Sequence, residues 1–162
     1  MKKLMTRLHI FEGRSGSGVR TEESIDQGVI VAAILGTWVD KPTRYTLQVS
    51  EERHLLPGGQ LWALVNHSCT PNLRVDIGKM GFVALRTIAT SEELTFNYLS
   101  TEWFMAEPFQ CNCESADCIG WIAGFSLLSA CHHERMASLM TEFIAQKNIS
   151  RLLRNKNEII SF

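Results

Sequence analysis

NHSCTPN, residues 66–72, stands between two apolar runs, LWALV (61–65) and LRVDI (73–77). Pro71 and Asn72 mark a turn, yet a turn alone does not call for Asn, His, Ser and Cys in succession before it. The flanking segments are short and rich in β-branched or aromatic residues: GVIVAAIL (28–35), YTLQV (45–49), NLRVDI (72–77), GFVALR (81–86) and EELTFNY (92–98). These read as strands, divided by the turn signals GSG (16–18), LPGG (56–59), CTPN (69–72) and GKMG (78–81). The pattern predicts a mainly β domain. From Phe125 the spacing of Phe125, Leu128, Met136, Leu139, Met140, Phe143 and Ile144 predicts an amphipathic helix packed on that body. Asn148 is the expected break before a short final helix, ISRLLRN. No internal repeat, low-complexity segment or linker interrupts the chain.

At 162 residues, 45% hydrophobic and 20% charged, the chain can bury one real core. A net charge of -1 and a pI of about 6.5 lack the basic footprint of phosphate-dominated nucleic-acid binding, so a basic peptide fits better as a partner. The start, MKKLMTRLHIFEGR, has the lysines of a secretory n-region, but Arg7, His9 and Glu12 interrupt any apolar h-region. No later segment offers the run of about eighteen uncharged apolar residues that a membrane span needs. The expectation is a soluble, cytoplasmic protein, or a nuclear one if eukaryotic or viral. Five cysteines are an odd number, and in a reducing compartment clustered cysteines favour metal over disulfides.

CNCESADCIGW (111–121) supplies three of them in a C-x-C-x4-C pattern among polar neighbours. Three thiolates are one short of a tetrahedral structural zinc site, and Cys69 in the opening stretch is the candidate fourth ligand beside Cys111, Cys113 and Cys118. The alternative is ordinary buried cysteine, which behaves as a small hydrophobe. Cys131, next to His132 and His133 on the expected helix, reads as core or surface.

NHSC followed by Pro-Asn, then EELTFNY, then F-x-C-x-C-x4-C-x-G-W at 109–121, in this order, resemble the SET-domain protein lysine methyltransferases with a post-SET zinc segment. The likeness extends more weakly to GSGV (16–19), the I-x-x-G of 25–28 and the I-L-G of 34–36, covering about residues 8–122. It implies the SET (β-clip) fold, in which the NHSC loop and the EELTFNY segment cross in a knot-like arrangement and wall one site. Residues 1–122 would be the SET and post-SET unit, and 123–162 a helical extension packed on it.

The resemblance also implies S-adenosylmethionine as cofactor, held by Gly16, Ser17, Gly18, Asn66 and His67, with Trp121 closing over cofactor or channel. Tyr98 matches the catalytic tyrosine; Tyr45 and Phe96 match aromatic residues of the lysine channel. Read without the resemblance, Asn66 and His67 can be loop caps, Tyr45 a packed strand residue, and Phe96 and Trp121 core. The chemistry suits aromatic walls, because lysine has a pKa of about 10.4 and desolvation favours its neutral, nucleophilic form.

Some positions depart from the family pattern. Asn97 stands before Tyr98 where Asp is usual, and Ala63 and Leu64 stand where Arg and Phe are frequent. The insert between Gly36 and Gly59 is short and no cysteine precedes Cys69, so a small surface must recognise the substrate. The implied activity is methyl transfer to lysine in a protein such as a histone tail. Its alternatives are a small amine or modified peptide as substrate, or a zinc-stapled binding module without catalysis. The helix from Phe125 is left to packing, dimer formation or a substrate wall.

Overall fold

The computed structural model describes residues 7–160; residues 1–6, which hold the n-region lysines, lie outside it. Its strands are β1 (Leu8–Gly13), β2 (Gly16–Thr21), β3 (Ile30–Ala33), β4 (Thr37–Val39), β5 (Leu47–Ser50), β6 (Arg53–Leu56), β7 (Asn66–His67), β8 (Leu73–Asp76), β9 (Gly81–Ala84), β10 (Thr95–Phe96), β11 (Phe109–Gln110) and β12 (Trp121–Ile122). Two helices follow, α1 (His133–Met136) and α2 (Glu142–Ile160).

β1 and β2 form an antiparallel hairpin closed at Gly13 and Gly16, where Gly16 takes a φ of 89° that suits a residue without a Cβ. The central sheet runs β3-β9-β8-β10-β7. Its inner strand β10 lies parallel to both β7 and β8, so the EELTFNY segment is threaded directly between the two sides of the NHSCTPN turn. Asn72 fastens this arrangement. It is 2% exposed, its Nδ2 donates to Glu92 Oε1 (2.9 Å) and Glu93 O (2.7 Å), and its Oδ1 accepts from Thr95 N (2.9 Å). A buried amide with its donors and one acceptor engaged specifies a single register for the two segments. A smaller sheet, β4-β6-β5, and the β11–β12 pair complete the β structure.

Two apolar cores result. The first joins the sheets through Val19, Ile34, Leu47, Leu55, Leu73, Phe82, Ile88 and Leu94. The second gathers Leu99, Trp103, Ile122, Phe125, Met136 and Ile144 around Cys69 and Cys111.

The C-terminal part corrects the helix expected from Phe125. Short tight turns at Phe125–Leu127 and Ala130–His132 precede α1, and Leu128 and Ser129 between them are extended, with ψ of 132° and 149°. Gly124 explains the detour: at φ 116° it passes so close to Trp103 and Phe104 that a Cβ would meet the Trp103 carbonyl oxygen at 2.5 Å. The apolar residues still reach the second core, because burial constrains where a side chain ends and not the path that carries it. A second correction concerns Asn148. α2 continues through it, since its side chain is nearly buried and its Oδ1 accepts from Arg151 Nη2 (2.9 Å), a partner within the same helix. Cys131 lies exposed on the turn before α1.

Candidate active site

Asn66 and His67 leave β7 side by side and serve different neighbours. Asn66 Nδ2 donates to Glu93 Oε1 (2.9 Å) and to Ser17 O (3.3 Å), which fixes the amide orientation and leaves Oδ1 without a partner among the described residues. Gly18 permits this approach, for a Cβ there would meet Asn66 Nδ2 at 2.9 Å. His67 Nδ1 accepts from Tyr98 N (3.1 Å), so the neutral ring carries its proton on Nε2, which faces Cys69 Sγ at 3.4 Å. Burial pushes the imidazole down to about 4, and the ring stays neutral at physiological pH.

Tyr98 begins a short turn whose start is capped by Asn97, with Asn97 Oδ1 accepting from Leu99 N (3.0 Å). A carboxylate oxygen would accept the same bond, so Asn97 preserves this local geometry. The Tyr98 hydroxyl donates to Val65 O (3.0 Å), and its ring packs against Phe96 (4.7 Å), His67 (5.3 Å) and Phe109 (6.0 Å). Burial raises the phenol above its ordinary range. It therefore acts as a neutral donor and dipole.

Two cavities meet at this tyrosine. A wide cleft of about 520 Å³ is lined by Gly16, Ser17, Leu64, Asn66, His67, Tyr98, Phe109 and Gln110 among others, within the size range of cofactor sites. A narrow cavity of about 40 Å³ runs between Tyr45, Trp62, Val65, Phe96, Tyr98 and Glu102. Arg44, Tyr45, Ala63, Tyr98 and Met105 border both. Tyr45 precedes β5 instead of lying within it and is 53% exposed. Trp121 is 58% exposed and does not line the cleft, although its β-partner Gln110 does. Arg44, Met105, Glu102 and the cleft-lining role of Phe109 had no signal in the chain, because turns distant in sequence bring them here.

The thiols of Cys69, Cys111, Cys113 and Cys118 converge, all four Sγ lying within 4.8 Å of one another and Cys69 and Cys111 at 3.9 Å. Tetrahedral zinc with Zn–S bonds of about 2.3 Å requires sulfurs about 3.8 Å apart, so the donor set fits that metal. Without metal, burial pushes Cys69 up to about 11 and Cys111 higher still. At Cys113 burial is outweighed by hydrogen bonds from the backbone N–H groups of Cys69 and Ser115 and from the Cys111 and Cys118 thiols, which bring it down to about 7. The Ile119 N–H points at Cys69 Sγ (3.4 Å).

Methyltransferase flvH of Aspergillus flavus is 34% identical over 98 residues, 59% of this chain and 51% of that protein. A histone-lysine N-methyltransferase, H3 lysine-36 specific, of Saccharomyces cerevisiae is 30% identical over 168 aligned positions, 89% of this chain and 22% of that protein. The chain thus spans about half the length of the first relative and about a fifth of the second. Among solved structures, KRYPTONITE in complex with mCHG DNA and SAH superposes with a TM-score of 0.61 at 25% identity, over 74% of this chain and 30% of that one. The methyltransferase domain of human SETMAR shares the fold, with a TM-score of 0.61 at 19% identity over 76% of this chain and 60% of that one. Residues 16–99, from the hairpin turn to just past Tyr98, match the family described as the SET domain, and the chain belongs to that family.

Proposed function

We propose that the chain transfers methyl groups from S-adenosylmethionine to the side-chain amine of lysine in a protein or peptide. The observation that carries this reading is the meeting of a cofactor-sized cleft and a narrow, largely apolar channel at Tyr98. When bound in the cleft, S-adenosylmethionine supplies an electrophilic sulfonium methyl. The backbone of Gly16 and Ser17 forms one wall for it, and Asn66 offers its free Oδ1 beside His67. Gly18 lets Asn66 close on the hairpin. Trp121, strand partner of the cleft-lining Gln110, is the residue assigned to the rim over bound cofactor.

The channel carries the amine from the surface at Tyr45, past Phe96, to Tyr98. At its inner end the neutral Tyr98 hydroxyl, anchored on Val65 O, aligns nitrogen and methyl. Cys69, Cys111, Cys113 and Cys118 hold one structural zinc, which fastens β11 and β12 beneath the loop that carries Asn66 and His67. The names of several relatives specify histone H3 lysine-36, and a histone tail or similar basic protein is the substrate class adopted here, with nuclear action following from it. Residues 1–122 form the catalytic unit on this reading, and 123–162 an extension that packs on it.

Incubating the purified chain with methyl-labelled S-adenosylmethionine and a cell lysate, then reading labelled species by mass spectrometry, tests the proposal. Label is expected on protein lysine and is expected to disappear with Tyr98→Phe while calorimetric cofactor binding persists. Label on a small amine changes the substrate class. Bound cofactor without any label reduces the protein to a binding module.

A further inference from the structure

Glu102 lies one tight turn beyond Tyr98, its backbone N–H donating to Tyr98 O at 3.0 Å, and it is one of the residues lining the narrow channel. The residue is 7% exposed. A carboxyl so deep among Leu47, Trp62, Val65 and Phe96 is expensive to ionise unless it is well bonded. Both of its protein donors, Gln48 N at 2.8 Å and Thr101 Oγ1 at 3.0 Å, converge on Oε1. Oε2 receives no hydrogen bond among the described residues and is not among their fully enclosed unpartnered atoms, and Glu102 is one of the residues lining the cavity. The position is held from two sides: Gln48 Oε1 accepts from Trp103 N (2.9 Å) while its own backbone bonds Glu102, a reciprocal pair joining β5 to residues 102 and 103. A carboxylate oxygen with no protein donor, on a residue lining a narrow channel beside Leu47, Trp62, Val65 and Phe96, has the form of a site for a donor that arrives from outside.

We propose that Glu102 is a second catalytic group of the channel, whose Oε2 receives an N–H of the incoming alkylammonium and takes the proton that must leave before methyl transfer. This rests on the methyl-transfer reading above. The steps balance: R–NH3⁺ and the Glu102 carboxylate give R–NH2 and the Glu102 carboxylic acid. The nitrogen lone pair then forms the N–C bond with the methyl group of S-adenosylmethionine, while the C–S electron pair returns to sulfur. Tyr98 cannot take the proton, since its hydroxyl already donates to Val65 O and its phenol is far too weak an acid to be present as phenolate.

Burial supports the assignment by pushing the Glu102 carboxyl up to about 7, against the pull of the Gln48 N–H and the Thr101 hydroxyl. Proton exchange is most efficient for a group that titrates near the working pH. The other charged or titratable groups facing the channel are Arg44, which pairs with Glu107 at 3.7 Å, and the phenols of Tyr45 and Tyr98. From α2, Lys147 and Arg151 lie over the Trp103 ring, Lys147 paired with Glu51 and Arg151 donating to Ser126 O and Asn148 Oδ1. None of these replaces Glu102 as an acceptor.

The test uses the full chain, n-butylammonium as a probe of the lysine side chain, and the variants Glu102→Gln and Glu102→Asp. Wild type is expected to be stabilised by n-butylammonium above pH 7, where the carboxyl is ionised, with at least tenfold weaker binding in Glu102→Gln and intermediate binding in Glu102→Asp. Without ligand, a raised carboxyl favours the fold fully below pH 4.5, and this advantage is lost as pH rises to 7. Wild type should therefore lose melting temperature relative to Glu102→Gln across that window. With core histones as acceptor, kcat/KM of wild type should rise through an apparent pKa near 7 that Glu102→Gln lacks. Equal n-butylammonium binding by wild type and Glu102→Gln overturns the proposal, as does a Glu102→Gln variant that melts far lower at every pH, which assigns the residue to holding Gln48. Carboxyl-dependent binding with no methyl transfer by wild type leaves the amine site standing and defeats the methyl-transfer reading instead.

Discussion

Phe96 shows how one side chain serves core and site together. Its ring packs edge-on against Phe82 at 5.1 Å, and it also lines the channel beside Tyr98. In the channel, an added hydroxyl would restrain a methylated amine and leave less room for it to turn. Phe96→Tyr is therefore expected to shift products from dimethyl and trimethyl lysine toward monomethyl, with modest loss of the first transfer. A hydroxyl forced into the core would instead lack a partner and lower stability by about 1–3 kcal/mol. A time course of peptide masses read beside melting temperatures separates the two, and an unchanged product ratio with a lowered melting temperature ends the idea. Asn97 belongs to the same scale. The family pattern marks it as a departure, yet its contact with Leu99 N is one that an aspartate would make equally well.

At the scale of elements, α2 is held by its side chains more than by its own regularity. Arg151 donates to Ser126 O at 2.9 Å and to Asn148 Oδ1 at 2.9 Å, and its guanidinium lies over Trp103 (5.5 Å) and Phe125 (5.9 Å). It thereby ties α2 to the irregular stretch after Gly124 and to the turn that carries Glu102 and Trp103. Arg151→Met keeps most of the packing volume and removes the donors. The expected cost is about 2–4 kcal/mol, for two charge-assisted bonds and an unpaired Asn148, or a fall of roughly 5–10 °C in melting temperature. Differential scanning calorimetry reads it directly. A change below about 1 °C would mean that the apolar contacts of Ile144 and Met136 hold the helix by themselves.

For the whole molecule, the second core closes around sulfur. Cys69 comes from the loop between the central strands, while Cys111, Cys113 and Cys118 come from the segment bounded by β11 and β12, so one ion would join parts far apart in sequence. One equivalent of zinc per chain is expected after purification without chelator. Removing it with a chelator should lower the melting temperature by at least about 10 °C, since metal binding in such sites is coupled to folding. Zinc should also dissociate on acidification, because its ligands must be thiolates. Elemental analysis finding no zinc, or a melting curve indifferent to chelation, would return the four thiols to the status of core residues.

The chain alone disclosed whatever depends on local chemistry at short spacing. The C-x-C-x4-C run with Cys69 and several strand segments were legible there as contiguous patterns with their own physical meaning, and the order of NHSC before EELTFNY was legible through the family resemblance, whereas GSG at 16–18, read as a turn, opens β2. Asn72 was passed over as a turn residue, since its three bonds to Glu92, Glu93 and Thr95 exist only after the two segments meet. The C-terminal helix is present as α2 but starts at Glu142 and not at Phe125 for a related reason: an apolar period records which residues are buried, whereas the backbone path was decided by the passage of Gly124 against Trp103. Glu102 lies furthest from what a sequence can disclose. A glutamate in STEW carries no mark of burial, and Glu102 came to line the channel only when β5 brought the Gln48 N–H to its Oε1 and Leu47, Trp62, Val65 and Phe96 gathered beside it.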